Sequence, residues 1–137
     1  MKSIETIVCA NSMNELDRIV QWMEEIAEKW ELAPGIVFNL NLVIEEAFTN
    51  IVNYAFTDQQ KHTIEILMEI ENQVLTVRIT DEGKAYDPTL KEDPDITLRA
   101  EEREIGGLGI FLIRKIMDKV EYQRIDNKNV FTMWKKL

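Results

Sequence analysis

The 137-residue chain has one cysteine, one histidine, three prolines and five glycines. One thiol cannot close an internal disulfide, and with a lone histidine it cannot form a Cys/His metal cluster. Cys9, at the end of a β-branched run, reads as a small apolar residue and suits a reducing compartment. His62 stands in the polar stretch 57–62 without a second histidine, a cysteine or a nearby serine to act on, and reads as a surface residue. Basic residues are also short: 16 Lys and Arg face 25 Asp and Glu, giving a net charge of −9 and a pI near 4.7. Nucleic acid and anionic membrane would both repel such a surface, so neither is expected as a partner. A polyanionic ligand would need a local site, such as a metal ion or helix-end amides. No stretch approaches the roughly 18 apolar residues of a membrane span, and the N-terminus carries no signal-peptide core, so a cytoplasmic protein is expected. There are no repeats or low-complexity segments. Neither G-x-x-x-x-G-K-[ST] nor G-x-G-x-x-G occurs, which excludes P-loop and Rossmann readings.

What is present is enough apolar material, 45% of residues, for one domain spanning 1–137. Residues 3–9 read as a first, edge strand. Ser12 and Glu15 have capping-box spacing, and Leu16, Ile19, Val20, Met23, Ile26, Ala27 and Trp30 continue as an amphipathic helix over about 13–31. Leu32-Ala33-Pro34-Gly35 breaks that pattern, and a second helix follows to about Ala55. Residues 63–71 and 74–80 alternate around Asn72-Gln73 as a hairpin whose second strand should be central. A second hairpin, 120–124 with 130–135, closes the chain around the turn-rich tetrad Asp126-Asn127-Lys128-Asn129. Between the hairpins, Gly106-Gly107-Leu108-Gly109 opens a third helix. The order predicts an α+β two-layer sandwich: a mixed, mostly antiparallel sheet with three helices on one face.

Three segments could carry chemistry. On the second helix Val43, Ile44, Ala47, Phe48, Ile51 and Val52 form an apolar stripe, while Glu46, Asn50, Asn53 and Tyr54 fall at i, i+4, i+7 and i+8 along one side. Asp81-Glu82-Gly83 follows the central strand, placing a carboxylate at the strand end and a position without a side chain beside it. The glycines at 106–109 expose amides at a helix N-terminus, where phosphate is favoured.

Glu46-Ala47-Phe48-Thr49-Asn50, Asp81-x-Gly83 and Gly107-Leu108-Gly109, in this order, resemble the N box and the two glycine boxes of the GHKL ATP-binding superfamily. Within it the chain is most similar to bacterial anti-sigma-factor serine/threonine protein kinases, over nearly its whole length. The resemblance implies a Bergerat-type sandwich, ATP and magnesium as ligands, a sigma factor and an anti-sigma-factor antagonist as partners, and a homodimer. It implies Asn50 as the magnesium ligand, Glu46 as the general base for a protein serine, and Asn53 and Tyr54 near the phosphates. It further implies Asp81 as the acceptor of the adenine amine, Gly83 as a close-approach position, Gly107, Leu108 and Gly109 as backbone around the phosphates, and Thr132 beside adenine. Ala85 replaces a second glycine frequent in the superfamily, and Tyr54 replaces a histidine. Residues 87–105 would form an ATP lid with Arg99 and Arg103 as phosphate contacts or, equally, as solvated charges. Two alternatives remain open: a non-catalytic ATP-binding interaction module, and a histidine-kinase-type ATPase domain, which has no upstream phosphoacceptor helix to support it.

Overall fold

The computed structural model describes residues 2–58, 60–90 and 107–137. The expected lid residues from 91 to 105, Arg99 and Arg103 among them, and Gly106 lie outside this description. The chain forms β1 (Ser3–Ala10), a 3-10 turn (Met13–Glu15), α1 (Leu16–Lys29), α2 (Pro34–Tyr54), β2 (Thr63–Glu71), β3 (Val74–Asp81), a second 3-10 turn (Pro88–Leu90), α3 (Gly107–Ile116), β4 (Lys119–Ile125) and β5 (Lys128–Lys136).

The strands form one sheet in the order β1-β2-β3-β5-β4, with β1 at an edge and β3 at the centre. The sheet expected to be mixed is antiparallel in all four pairings. Two-residue turns dictate this for β2–β3 and β4–β5, while β1–β2 and β3–β5 are antiparallel across longer connections that carry the helices. Both hairpins close on two residues with positive φ, Asn72-Gln73 (52° and 64°) and Asp126-Asn127 (50° and 61°), the backbone of the turn that matches strand twist. The second turn is therefore shorter than the expected tetrad, and Lys128 and Asn129 belong to β5.

Side-chain alternation sends Ile7, Cys9, Ile64, Ile66, Met68, Leu75, Val77, Ile79, Phe131 and Met133 to one face, where they are buried with Ile19, Met23 and Ile26 of α1 and Ile110 and Ile113 of α3. From α2, the same core takes Leu40, Val43, Ile44, Ala47, Phe48 and Ile51. Pro34 stands in the first turn of α2, where its missing N–H costs nothing, so the break expected at Pro34-Gly35 is the helix start. Against the sequence expectation, α2 is long and apolar enough by length and composition to cross a membrane. Its apolar side is instead spent on the sheet, and it is the central helix of the sandwich.

The first helix begins later than expected, at Leu16, because residues 13–15 form the 3-10 turn. Ser12 accepts from the Asn14 amide at 3.2 Å, while Glu15 reaches past the cap to accept from the Ala10 amide at 2.9 Å. Arg18 pairs with Glu15 at 2.8 Å and donates to the Val8 carbonyl at 2.6 Å, which ties α1 to β1.

The end of α2 is fixed to the loop after β3. The Ala55 carbonyl accepts from the Lys84 amide at 2.8 Å. A Cβ on Gly83 would lie 2.4 Å from that oxygen and 2.7 Å from the Ala55 Cβ, so this junction closes only on glycine. Gly83→Ala is expected to destabilise the fold by about 1–3 kcal/mol, a fall in Tm of roughly 3–10 °C in thermal unfolding, and an unchanged Tm would refute the tight junction.

Candidate functional site

The period of α2 that buries Val43, Ala47 and Phe48 turns Glu46 and Asn50, one turn apart, toward α3. Gly109 in the first turn of α3 meets them: a Cβ there would lie 2.7 Å from Glu46 Oε2 and 3.4 Å from Asn50 Nδ2. The atom that close is the tip of the Glu46 side chain, so a side chain at 109 would press on the carboxylate and displace it, while Asn50 stays at ordinary contact distance. Asn50 is buried and Glu46 half-buried. Burial pushes the Glu46 carboxyl above the ordinary glutamate range, and the charge of adjacent Glu45 adds to the effect.

A second cluster forms at the end of β3. Strand register sets Ile64, Asp81, Asn129 and Arg124 in one row across β2, β3, β5 and β4 on the helix-facing side of the sheet. Asp81 is 2% exposed. Its Oδ1 accepts from the Gly83 amide at 2.8 Å and from Asn129 Nδ2 at 2.9 Å. No donor among the described residues reaches Oδ2. Desolvation raises the Asp81 pKa, and the hydrogen bonds from Asn129 and Gly83 and the charge of Arg124 oppose it only in part.

Asn50 of the first cluster and Asp81 and Asn129 of the second line one cavity of about 20 Å³, together with Ala47, Ile51, Tyr86, Pro88, Ile113, Tyr122 and Phe131. Its walls are apolar, with Asp81, Asn50 and Asn129 as polar points, the lining of a small-molecule pocket. The volume as it stands admits about one water. Tyr86, stacked on Tyr54 with centroids 5.7 Å apart, and Pro88 form the wall contributed by the loop after β3.

Several site expectations meet a different geometry. Thr132 pairs in register with Arg78, so it lies on the sheet face opposite Asp81 and receives a 3.4 Å hydrogen bond from Arg78 Nε. The β5 residue beside Asp81 is Asn129, which the sequence had suggested was part of a turn. Gly83 makes its close approach to Ala55, a protein neighbour. Asn53 and Ala85 are exposed and do not line the cavity, while Tyr54 is half-buried against Tyr86. Gly107, Leu108 and Gly109 form the first turn of α3. The signal that could have found Asn129 is the Asp-Asn pair before Lys128: a two-residue turn there brings Asn129 onto the Asp81 row.

The chemistry fits a purine nucleotide at one end and a hard cation at the other. A buried carboxylate with one oxygen that takes no donor among the described residues can accept from an exocyclic amine, and apolar walls suit a flat ring. Among the described residues no three His, Cys, Asp or Glu side chains cluster as a metal cage. An ion held by the Asn50 amide oxygen could take further oxygens from phosphate and water, as magnesium commonly does.

Residues 9–135 match the family described as histidine kinase-like ATPase domain. The chain is 33% identical over 112 residues to the serine/threonine-protein kinase BtrW of Bordetella bronchiseptica, covering 82% of this chain and 79% of that protein. It is 37% identical over 100 residues to the serine-protein kinase RsbW of Listeria monocytogenes, covering 70% of this chain and 64% of the relative. Against RsbW of Oceanobacillus iheyensis the identity is 33% over 105 residues, 70% of this chain and 63% of that protein. With the match running nearly end to end and the α+β sandwich in place, the chain belongs to the histidine kinase-like, GHKL-type ATPase domain family.

Proposed function

We propose that residues 1–137 form one magnesium- and ATP-dependent protein serine/threonine kinase domain that acts as an anti-sigma regulatory factor. In this reading it phosphorylates a serine of an antagonist protein and sequesters a sigma factor, as a cytoplasmic homodimer without direct contact to nucleic acid or membrane. The observation that carries the reading is that Asn50, one turn after Glu46 on α2 and beside Gly109, lines the same cavity as the buried Asp81. The kinase names of the relatives and the three ordered boxes support it.

Asp81 Oδ2 would accept from the 6-amino group of adenine, with Ala47, Ile51, Ile113 and Phe131 around the ring. The cavity as it stands admits about one water, so a purine would enter with an opening of its lining. Asn50 would hold the magnesium ion, which supplies charge neutralisation at the phosphates. The amides at the start of α3 add donors there. Glu46, with its affinity for protons raised by burial, would take the proton of the incoming serine hydroxyl. The serine oxygen then bonds to the γ-phosphorus as the bond from that phosphorus to the ADP oxygen breaks. Positioning and charge stabilisation supply most of the barrier reduction in such a transfer.

Labelled γ-phosphate from ATP should appear on a cognate antagonist with the native chain and not with Glu46→Gln. Undiminished transfer by that variant would remove the assigned base. The same substitution has an opposite effect on stability. Above the ordinary glutamate pKa of about 4.3 the unfolded chain releases its proton while folded Glu46 holds it longer, so stability falls as pH rises through that window. Glu46→Gln removes this penalty. Its Tm without nucleotide should match or exceed the native value at pH 7 by up to roughly 3 °C, with the difference vanishing below about pH 4. A clear loss of stability at neutral pH would contradict the burial argument.

Asp81→Asn keeps an oxygen for the Gly83 and Asn129 donors and relieves desolvation, so the nucleotide-free Tm should hold. What it loses is the acceptor facing the cavity. ATP at about 100 times its dissociation constant should stabilise the native chain by about 2.7 kcal/mol, a rise of several degrees, and leave Asp81→Asn unshifted. An equal rise in both would exclude Asp81 as the adenine acceptor.

A further inference from the structure

Asn129 carries more hydrogen bonds than any other described side chain near the cavity, yet the reading above gives it no role. It is 4% exposed, between Asp81 and Arg124 in the cross-strand row. Its Nδ2 donates to Asp81 Oδ1 at 2.9 Å and to the Lys84 carbonyl at 2.8 Å. Its Oδ1 accepts from Tyr122 Oη at 2.5 Å, from Arg124 Nη1 at 3.1 Å and from the Tyr86 amide at 3.2 Å. Only one orientation of the amide satisfies these partners. The reversed one would set its oxygen against a carboxylate and a carbonyl, and its NH₂ against a guanidinium and a backbone N–H. Arg124 also donates to the Gly83 carbonyl at 2.8 Å, which fastens the loop after β3 to β4 on the same side.

Asn129 is therefore held in one direction by donors from β4 and the loop, and in that direction it takes up one of the two Asp81 oxygens. With the Gly83 amide on the same oxygen, the carboxylate plane has lost its freedom to rotate, and Oδ2 is the oxygen left for the cavity. We propose that Asn129 is the positioning residue for base recognition: it aims the second oxygen of Asp81 at the exocyclic amine of an adenine nucleotide and so sets discrimination against 6-oxo purines. The inference rests on the reading of the cavity as an adenine site. A residue of another type would not do the same work. Alanine leaves Asp81 Oδ1 with one donor, and aspartate, although of equal size, sets an acceptor against the two acceptors that the asparagine NH₂ now bridges.

The test is a calorimetric titration of the whole chain with ATP and with inosine triphosphate, both with magnesium, for the native protein, Asn129→Ala and Asn129→Asp. The native chain is expected to prefer ATP. Asn129→Ala should cut the ATP-to-ITP affinity ratio by about tenfold or more while ITP binding, which rests on the triphosphate, changes little. General damage to the fold would weaken both nucleotides together and leave the ratio intact. Asn129→Asp, which keeps the acceptor for Tyr122, Arg124 and Tyr86, should lose the preference as well, and it decides the matter if the alanine variant does not fold. A native ATP preference retained in the folded variants overturns the role of Asn129 and leaves the nucleotide reading standing. Absence of any ATP preference in the native chain instead overturns the adenine reading, and the inference with it.

Discussion

The burial of the apolar side of α2 against the sheet is the constraint on which the remaining structure depends. Phe48 and Val43 are wholly buried, and Leu40, Ile44 and Ile51 extend the same stripe along the 21-residue helix. Each large side chain so buried is worth about 1.5–3 kcal/mol, so the helix has one rotational setting and no other competes. That setting places Glu46 and Asn50 on the flank that α3 covers. It also puts the C-terminal end of α2 where the Ala55 carbonyl can receive the loop after β3. The polar residues are thus positioned by apolar packing and make few demands on it.

Two glycines convert this packing into a site. At Gly109 the first turn of α3 lies open against the Glu46 carboxylate and Asn50, and at Gly83 the missing side chain lets the loop after β3 reach the end of the same helix. A Cβ at Gly83 would collide with the Ala55 backbone, whereas one at Gly109 would meet the movable tip of the Glu46 side chain. Gly83, which looks like part of a ligand-binding motif, is thus also a protein-packing position, and its loss would disturb stability.

Charge is managed locally. The chain as a whole is strongly acidic, and both Asp81 and Glu46 are held where ionisation is disfavoured. At Asp81 the cost is offset by backbone and side-chain donors and by Arg124, all from neighbouring strands or the adjoining loop. At Glu46 burial and the neighbouring Glu45 raise the proton affinity, the direction that the proposed role as a base calls for.

Element types, the central place of β3, the helix N-terminus at the glycines and the three ordered boxes were determined by the sequence itself. They are local quantities: periodicity of 3.6 or 2, turn residues, and short motifs whose spacing follows from them. Tertiary structure decided which side chains meet across strands. A one-residue change in register reverses every side chain of a strand, and register depends on turn length and on partners far away in the chain. The two-residue turn at Asp126-Asn127 therefore moved Asn129 from an expected loop to the side of Asp81, and the pairing with Arg78 carried Thr132 to the opposite face. The neighbours of Gly83 and Gly109, and the exposure of Asn53 and Ala85, were likewise beyond the reach of pattern, because they depend on how close two packed elements come. That distance is set by the three-dimensional fit of the core and is written in no single segment.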